Sequence, residues 1–332
     1  MPGLSVVIPT CNRRESLRIT LEGLARQTVP MDSFEVIVVS DGSTDGTDDM
    51  LARLTSKLPY ALRTLTQANA GPSAARNRGV REASGDIIVF LDDDVEPVPA
   101  YLARHQSHHD GDEHVAVLGR MSPDPARCAI EPVWIAWEHA KLQEIYHMFL
   151  PGGTHCMDKA GPMHFYSGNA SLRRRWILDV GGFDEKFTRQ EDVELAVRLA
   201  RDCGVWFQFD MEADGIHRPT RTFQSWANIP AAYGKLDAQR VMDGTLRHDH
   251  MTTIEGRRHG LTRAISNVCR VAPPLTPPVS GTLKCASMML YRLGAKTAAI
   301  AALSAMYNLT YSQQFHRALG EMHWQVPHPA HR

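Results

Sequence analysis

The chain has 332 residues, of which 43% are hydrophobic and 22% charged, with a formal net charge of -1. That length makes one large domain or a domain with an appendage, and the apolar share is enough for a sizeable core, which excludes general disorder. A nearly neutral chain lacks the basic excess of a dedicated nucleic-acid binder, so no nucleic-acid partner is expected.

The first half alternates between two patterns. Leu4 to Ile8 is a β-branched apolar run, broken by "PTCNRRES". Leu17, Leu21 and Leu24 then recur at helical spacing. Phe34 to Val39 reads as a second strand, followed by the polar loop "SDGSTDG". Thr47 or Asp48 is expected to cap a helix running to about Leu54. "YALRTLTQ" is a weaker third strand, and "GPSAARNRGVREAS" a helix opened by Pro72. "DIIVFLDDD" is the fourth strand; its continuous apolar run predicts a central position covered on both faces. The order predicts an α/β fold: a Rossmann-like, mostly parallel sheet with helices on both faces. In such sheets ligands bind beyond the carboxyl ends of the strands. The loops after strands one, two and four are expected to face one crevice there.

The second half is less regular. "HQSHHDGDEH" (105–114) fixes no metal geometry and reads as a solvated helix end. The aromatics Trp134, Trp137, Tyr146 and Phe149 suit an acceptor-stacking site and the core equally. Residues 205–217 suggest one more strand, ending at His217. "RVAPPLTPPVSG" (270–281) reads as a Pro-rich linker, followed by a helical C-terminal segment. "TAAIAALSAMYNL" (297–309) falls short of the roughly 18 apolar residues of a membrane span and reads as a packed helix, with a peripheral membrane role as the lesser reading. Six cysteines form no C-x-x-C pair, and the N-terminus has no signal-peptide pattern, so reduced thiols in a cytoplasmic protein are expected.

Three carboxylates, Asp92, Asp93 and Asp94, end a buried strand. Such a run is costly unless something positive sits there, and a hard divalent cation with oxygen ligands is the simplest answer. Extended backbone puts Asp92 and Asp94 on one side. Asp41, in a Gly-rich strand-end loop, suits a base or ribose, or an ordinary Asp-Gly turn. Glu191 and Asp192 open an amphipathic helix, where they cap it or supply a general base. His217 is read as a metal ligand, a diphosphate contact or a structural histidine, and Arg218 and Arg221 beside it suit phosphate oxygens.

Four segments together resemble family 2 glycosyltransferases of the GT-A fold: "LSVVIPTCNRRESLRITLEGLARQT", "EVIVVSDGSTDGT", "NAGPSAARNRGVREASGDIIVFLDDDVEP" and "GNASLRRRWILDVGGFDEKFTRQEDVELAVRLARDCG". The resemblance covers roughly residues 4–217. It implies inverting transfer from a nucleotide-diphosphate sugar, most often a UDP-sugar, with Mn2+ or Mg2+. By that resemblance Pro9, Thr10 and Asn12 line the nucleotide pocket, Asp41 holds the base, and Arg76 and Asn77 lie beside the nucleotide. Asp94 and then Asp92 are the metal ligands, with His217 near the metal and Asp93 on the ribose or diphosphate. Gly168 and Asn169 line the donor-sugar and acceptor side. Asp192 is the base, with Glu191 beside it.

The expected organisation is a transferase domain over 1–220, with a nucleotide half to about 99 and an acceptor half to 220. A mainly helical extension covers 221–332. The acceptor is expected to be a sugar, a lipid carrier or a small natural product, and a homo-oligomer is an open partner. "TFQSWANIP" departs from the Q-x-x-R-W motif of processive synthases, which argues for single addition. Two rival motifs fail. The acidic run continues into Glu96 where a haloacid-dehalogenase-type phosphatase needs Thr or Val, and the loop after strand one has no glycine for a dinucleotide. A catalytically inactive nucleotide-sugar-binding homologue, acting as a partner subunit, is the non-enzyme alternative.

Overall fold

A computed structural model describes residues 3–128, 130–149, 160–187, 189–244 and 260–325. By internal contacts the chain divides into two units, Met1–Ala129 with His139–Thr220, and Ile130–Glu138 with Arg221–Arg332.

The first unit holds an eight-stranded sheet. Its opening run is β1 (Leu4–Thr10), α1 (Arg14–Leu24), β2 (Phe34–Asp41), α2 (Thr47–Leu54), β3 (Ala61–Gln67), α3 (Pro72–Glu82) and β4 (Ile87–Leu91). There follow β5 (Val95–Pro97), α4 (Tyr101–Ser107), β6 (Val115–Pro123), α5 (Val133–His147), β7 (Asn169–Arg173), α6 (Arg174–Asp179), α7 (Glu191–Cys203) and β8 (Trp206–His217). The strand order is β3-β2-β1-β4-β7-β6-β8-β5.

β3, β2, β1 and β4 are parallel, as their alternation with helices dictates. β7 then runs antiparallel to both β4 and β6, and β5 antiparallel to β8. The half of the sheet from β3 to β4 is therefore the parallel part, and the sheet turns mixed beyond it. β1 and β4 are buried on both faces, so two apolar clusters form. Val7, Ile88 and Phe90 pack into one, and Val6, Ile8 and Val89 into the other. This alternation is the period-2 side-chain pattern of a strand covered by helices on each side.

Two local expectations shift. The cap of α2 is the Asp45-Gly46 pair: Gly46 takes the left-handed conformation and Asp45 Oδ1 accepts from the Thr47 amide at 3.1 Å, so Thr47 is already inside the helix. The histidine stretch is not a solvated helix end. His105 and His109 are buried, and His108 donates to Asp210. α4 lays Tyr101, Leu102 and His105 on its inner face, where β7 offers Ser171 and Asn169.

The second unit is helical in its described residues: α8 (Phe223–Met242), α9 (Gly260–Val271), α10 (Thr276–Arg292) and α11 (Lys296–Gln325). Trp226 is fully buried against Val133, Ala299, Leu303 and Met306, with Trp134 and Trp137 packed around it. The Trp134 indole donates to the Arg221 carbonyl and that of Trp137 to Ser304. These two tryptophans are core. Tyr146 stacks on Phe209 in the first unit, Phe149 lies tilted against the same ring, and both belong to the core there. The Pro-rich stretch is not a loose linker. It ends α9, makes one 3₁₀ turn over Pro273–Leu275 and enters α10 with proline in its first turn, where a missing N–H costs nothing. No described helix is long and apolar enough to cross a membrane. Cys11, Cys128, Cys203, Cys269 and Cys285 are free thiols; Cys156 lies outside the described residues.

Candidate active site

Parallel pairing brings the carboxyl ends of β1, β2 and β4 to one edge, and hydrogen bonds tie their loops together. Asn12 takes a left-handed φ of 54°, which turns the loop after β1 toward the loop after β2. Its Oδ1 accepts from the Thr44 amide at 2.7 Å, and the Arg14 amide donates to Asp45 at 3.0 Å. Pro9, next to last in β1, lies in register with Val39. Asp41 is buried and accepts from the Ala70 and Gly71 amides, each at 2.8 Å, and from Gln67 Nε2 at 2.9 Å. Asp41 thus fixes the entry to α3, and its carboxylate is already well supplied with donors.

The acidic run sits directly past β4 and is held by two arginines from different elements. Arg13, at the start of α1, donates to Asp93 Oδ1 at 3.3 Å and to Asp94 Oδ2. Thr10 Oγ1 donates to Asp93 Oδ2 at 2.7 Å, and Thr20 Oγ1 to its carbonyl. Burial raises the Asp93 carboxyl above the usual range, against the pull of Arg13, and Asp94 adds to the rise. Burial alone would lower Arg13; Asp93 and Asp94 outweigh it and raise it. The run therefore carries its own counter-cation, and Arg13 is a residue that sequence reasoning missed. The signal was there, a pair of arginines directly after the first strand loop, but nothing local says which residue they face.

Arg76 makes the second clamp. Buried on α3, it donates to Asp92 Oδ1 at 2.8 Å and to Glu191 Oε1 at 3.4 Å. It joins the first aspartate of the run to the first turn of α7. Burial works against its charge, yet Asp92 and then Glu191 raise it. Next to Glu191, Asp192 accepts from the Val193 amide at 2.8 Å, and burial followed by the Glu191 charge pushes its carboxyl up to about 6.

Asn77, also on α3, donates to the Phe183 carbonyl and Glu185 and accepts from the Phe183 amide. It pins the loop that leads to α7. Gly168 lies where the chain passes close to the run: the Asp92 amide donates to its carbonyl at 3.0 Å, and a Cβ there would meet Asp92 Oδ2 at 2.7 Å. Asn169 is fully buried. Its Nδ2 donates to the Arg120 and Ala213 carbonyls, which makes Oδ1 the acceptor from His105 Nε2. Its amide is spent on joining β6, β7 and β8, and Gly168 beside it is buried against Asp92, so both residues act here by shaping the start of β7.

β5 pairs with the end of β8, Val95 opposite His217, and the Arg218 amide donates to the Asp94 carbonyl. This places His217 Nε2 3.7 Å from Asp94 Oδ1. Two ligands of one small divalent ion, each bound at ~2.1 Å, stand ~3–4 Å apart. The carboxylate–imidazole pair therefore fits Mn2+ or Mg2+, with water and phosphate oxygens for the rest of the shell. Among the described residues no three His, Cys, Asp or Glu side chains converge on one point, and Asp92 Oδ1 is engaged by Arg76. Arg218 pairs with Glu96 and Asp124. Arg221 pairs with Glu138.

Comparison with known proteins identifies the family and the fold. A sequence model described as Glycosyl transferase family 2 covers residues 5–181. The chain is 34% identical over 239 residues to validoxylamine A glucosyltransferase of Streptomyces hygroscopicus subsp. jinggangensis, covering 66% of this chain and 56% of that protein. It is 34% identical over 226 residues to glycosyltransferase AglE of Haloferax volcanii, covering 67% and 69%. Thus the chain spans little more than half the length of the first of these relatives. Among solved structures, a mannosyltransferase from Pyrobaculum calidifontis in complex with GDP-Man and Mn2+ superposes with a TM-score of 0.61 at 20% identity, over 98% of this chain and 88% of that one. S. aureus TarS 1-349 in complex with UDP gives 0.50 at 16%, over 99% and 93%. These likenesses show a GT-A fold. With the family match running from β1 to the loop before α7, and so across the whole acidic run, the chain belongs to glycosyl transferase family 2.

Proposed function

We propose that the chain transfers a sugar from a nucleotide-diphosphate sugar, UDP-linked in the first instance, to an acceptor hydroxyl or amine with inversion at the anomeric carbon. The observation that carries this reading is the link through Arg76, which joins the acidic run past β4 to the first turn of α7, where Asp192 stands. Asp192 takes the acceptor proton. Its carboxyl, pushed up to about 6, is ionised at neutral pH yet basic enough to receive that proton. Glu191, tied to Arg76, holds the turn in place. Attack comes from the face opposite the diphosphate, so no covalent sugar–protein intermediate is needed.

Asp94 and His217 would hold the divalent ion, and Asp93 would take the ribose or diphosphate side. Bound there, the ion would supply positive charge to the leaving diphosphate. Pro9, Thr10, Asn12 and Asp41 form the rim for the nucleotide. The relatives' names support a glucose-type donor and a small-molecule acceptor as the first pair to test.

The test is titration calorimetry with UDP, with and without Mn2+, on the wild type and on Asp94→Ala. Metal-dependent binding lost in the variant supports the donor site. Asp192→Asn should then keep UDP binding and lose transfer. Failure of UDP, GDP and dTDP alike to bind would sink the donor site and favour the inactive homologue.

A further inference from the structure

The acidic and basic residues are unevenly spread. Residues 256–320 contain eight Lys and Arg and no Asp or Glu, although the whole chain has 37 acidic residues among 332. α10 lies in the middle of this stretch. The outward stripe of a helix in a water-soluble unit normally carries charge. On α10 and its flanks the outward stripe is Leu275, Pro278, Thr282, Cys285, Met289 and Leu293, at spacings of three and four residues, all exposed. Met289 is 63% exposed and Leu293 70%, among the largest values for apolar residues in the chain. The stripe follows a helix of 17 residues, about 25 Å long at 1.5 Å per residue. At its end, residues 292–298 are all exposed, and Arg292 and Lys296 flank Leu293 there.

We infer that this stripe and the α10–α11 corner form a docking surface for an anionic lipid bilayer interface. Apolar side chains enter the headgroup–acyl boundary while the cations meet lipid phosphates, the two terms that hold a surface-bound helix. A second copy of the chain fits worse. A two-fold contact through this stripe would bring no carboxylate to Arg292 and Lys296, because the stripe and its flanks carry none. A nucleic acid would answer the cations and leave Met289 and Leu293 without a role. The surface lies within the helical unit alone and is independent of the transfer reaction.

The experiment is co-sedimentation of the full chain with vesicles containing phosphatidylglycerol, and with vesicles of phosphatidylcholine alone. It is run at low and high salt, with light scattering of the free protein alongside. Two double variants separate the terms: Met289→Glu with Leu293→Glu, and Arg292→Gln with Lys296→Gln. All four positions are exposed, so both variants should fold; circular dichroism checks this. The expected result is binding to the anionic vesicles only, weakened by salt. It should fall about 25-fold when the two cations are removed, at about fivefold per cation, and further with the glutamates. Absence of binding to anionic vesicles overturns the inference. So does binding that neither variant changes. A dimer that the glutamate variant dissociates while vesicle binding persists assigns the stripe to a second copy and overturns it too.

Discussion

The two units distribute charge differently. In the sheet unit, carboxylates and arginines are drawn into the interior at one edge: Asp93 and Asp94 against Arg13, and Asp92 and Glu191 against Arg76. In the helical unit the core around Trp226 is aromatic and aliphatic, its largely buried pairs Arg221–Glu138 and Arg240–Asp237 are simple two-residue contacts, and Arg292 and Lys296 stay outside beside exposed Met289 and Leu293. Taking a charge out of water costs several kcal/mol unless it is paired well. A fold that bears this cost does so where chemistry uses the charge. A fold that leaves large apolar side chains in water does so where another surface will cover them.

Substitutions can break this contrast. The largest effect is expected from Asp192→Asn, which should lower transfer roughly a thousandfold with donor binding intact, measured by product formation and calorimetry. The same change should stabilise the fold. A carboxyl raised to about 6 in the folded state carries a penalty that is absent below its unfolded value and complete above about 6. At pH 7 the asparagine should therefore gain about 3 kcal/mol in denaturant unfolding. Wild-type transfer should fall about tenfold per pH unit below about 6, as the base becomes protonated. A profile flat to pH 5 would remove Asp192 as the base.

Arg76→Met should cost about 2–3 kcal/mol of stability. It leaves Glu191 and Asp92 without their clamp, and Asp92, 37% exposed, recovers part of the loss from water. Arg13→Gln should act differently. A divalent ion at Asp94 Oδ1 meets the positive charge of Arg13 on Oδ2, so the variant should bind Mn2+ more tightly in the absence of nucleotide, by about fivefold, read from free Mn2+ by electron paramagnetic resonance. Weaker Mn2+ binding in this variant would mean that Arg13 positions the carboxylates rather than competing for them. The smallest effect belongs to the helical unit: Arg292→Gln with Lys296→Gln should change unfolding stability by no more than about 0.5 kcal/mol. A loss comparable to that of Arg76→Met would show that these cations are part of the fold and erase the contrast.

Much of the sheet unit was legible because its signals are local. The continuous apolar run of β4 predicts a strand covered on both faces, and the abrupt Asp92–Asp94 run marks its end. Pro72 opens α3 as expected, and β8 ends at His217. The histidine stretch failed as a reading because polarity alone suggested solvent. In the fold, Ser171 Oγ and Asn169 Oδ1 satisfy His105, and burial holds that ring neutral, down to about 4. The prolines of 270–281 suggested a linker because their helix-breaking role is familiar, yet two of them sit in the first turn of α10, where no hydrogen bond is lost.

The sequence by itself determined the alternation of strands and helices, the parallel half-sheet and the placement of carboxylates at a strand end. Each follows from side-chain periodicity within a few residues. Tertiary structure alone decided the partners. Thr10 meets Asp93 across 83 positions and Arg76 meets Glu191 across 115. His217 comes to Asp94 only because β5 and β8 pair. Which face of α10 looks outward is settled by the helices it packs against. A pairing across a hundred residues leaves no periodic trace in the chain, because its geometry is set by the register of the strands and the packing of the helices between them.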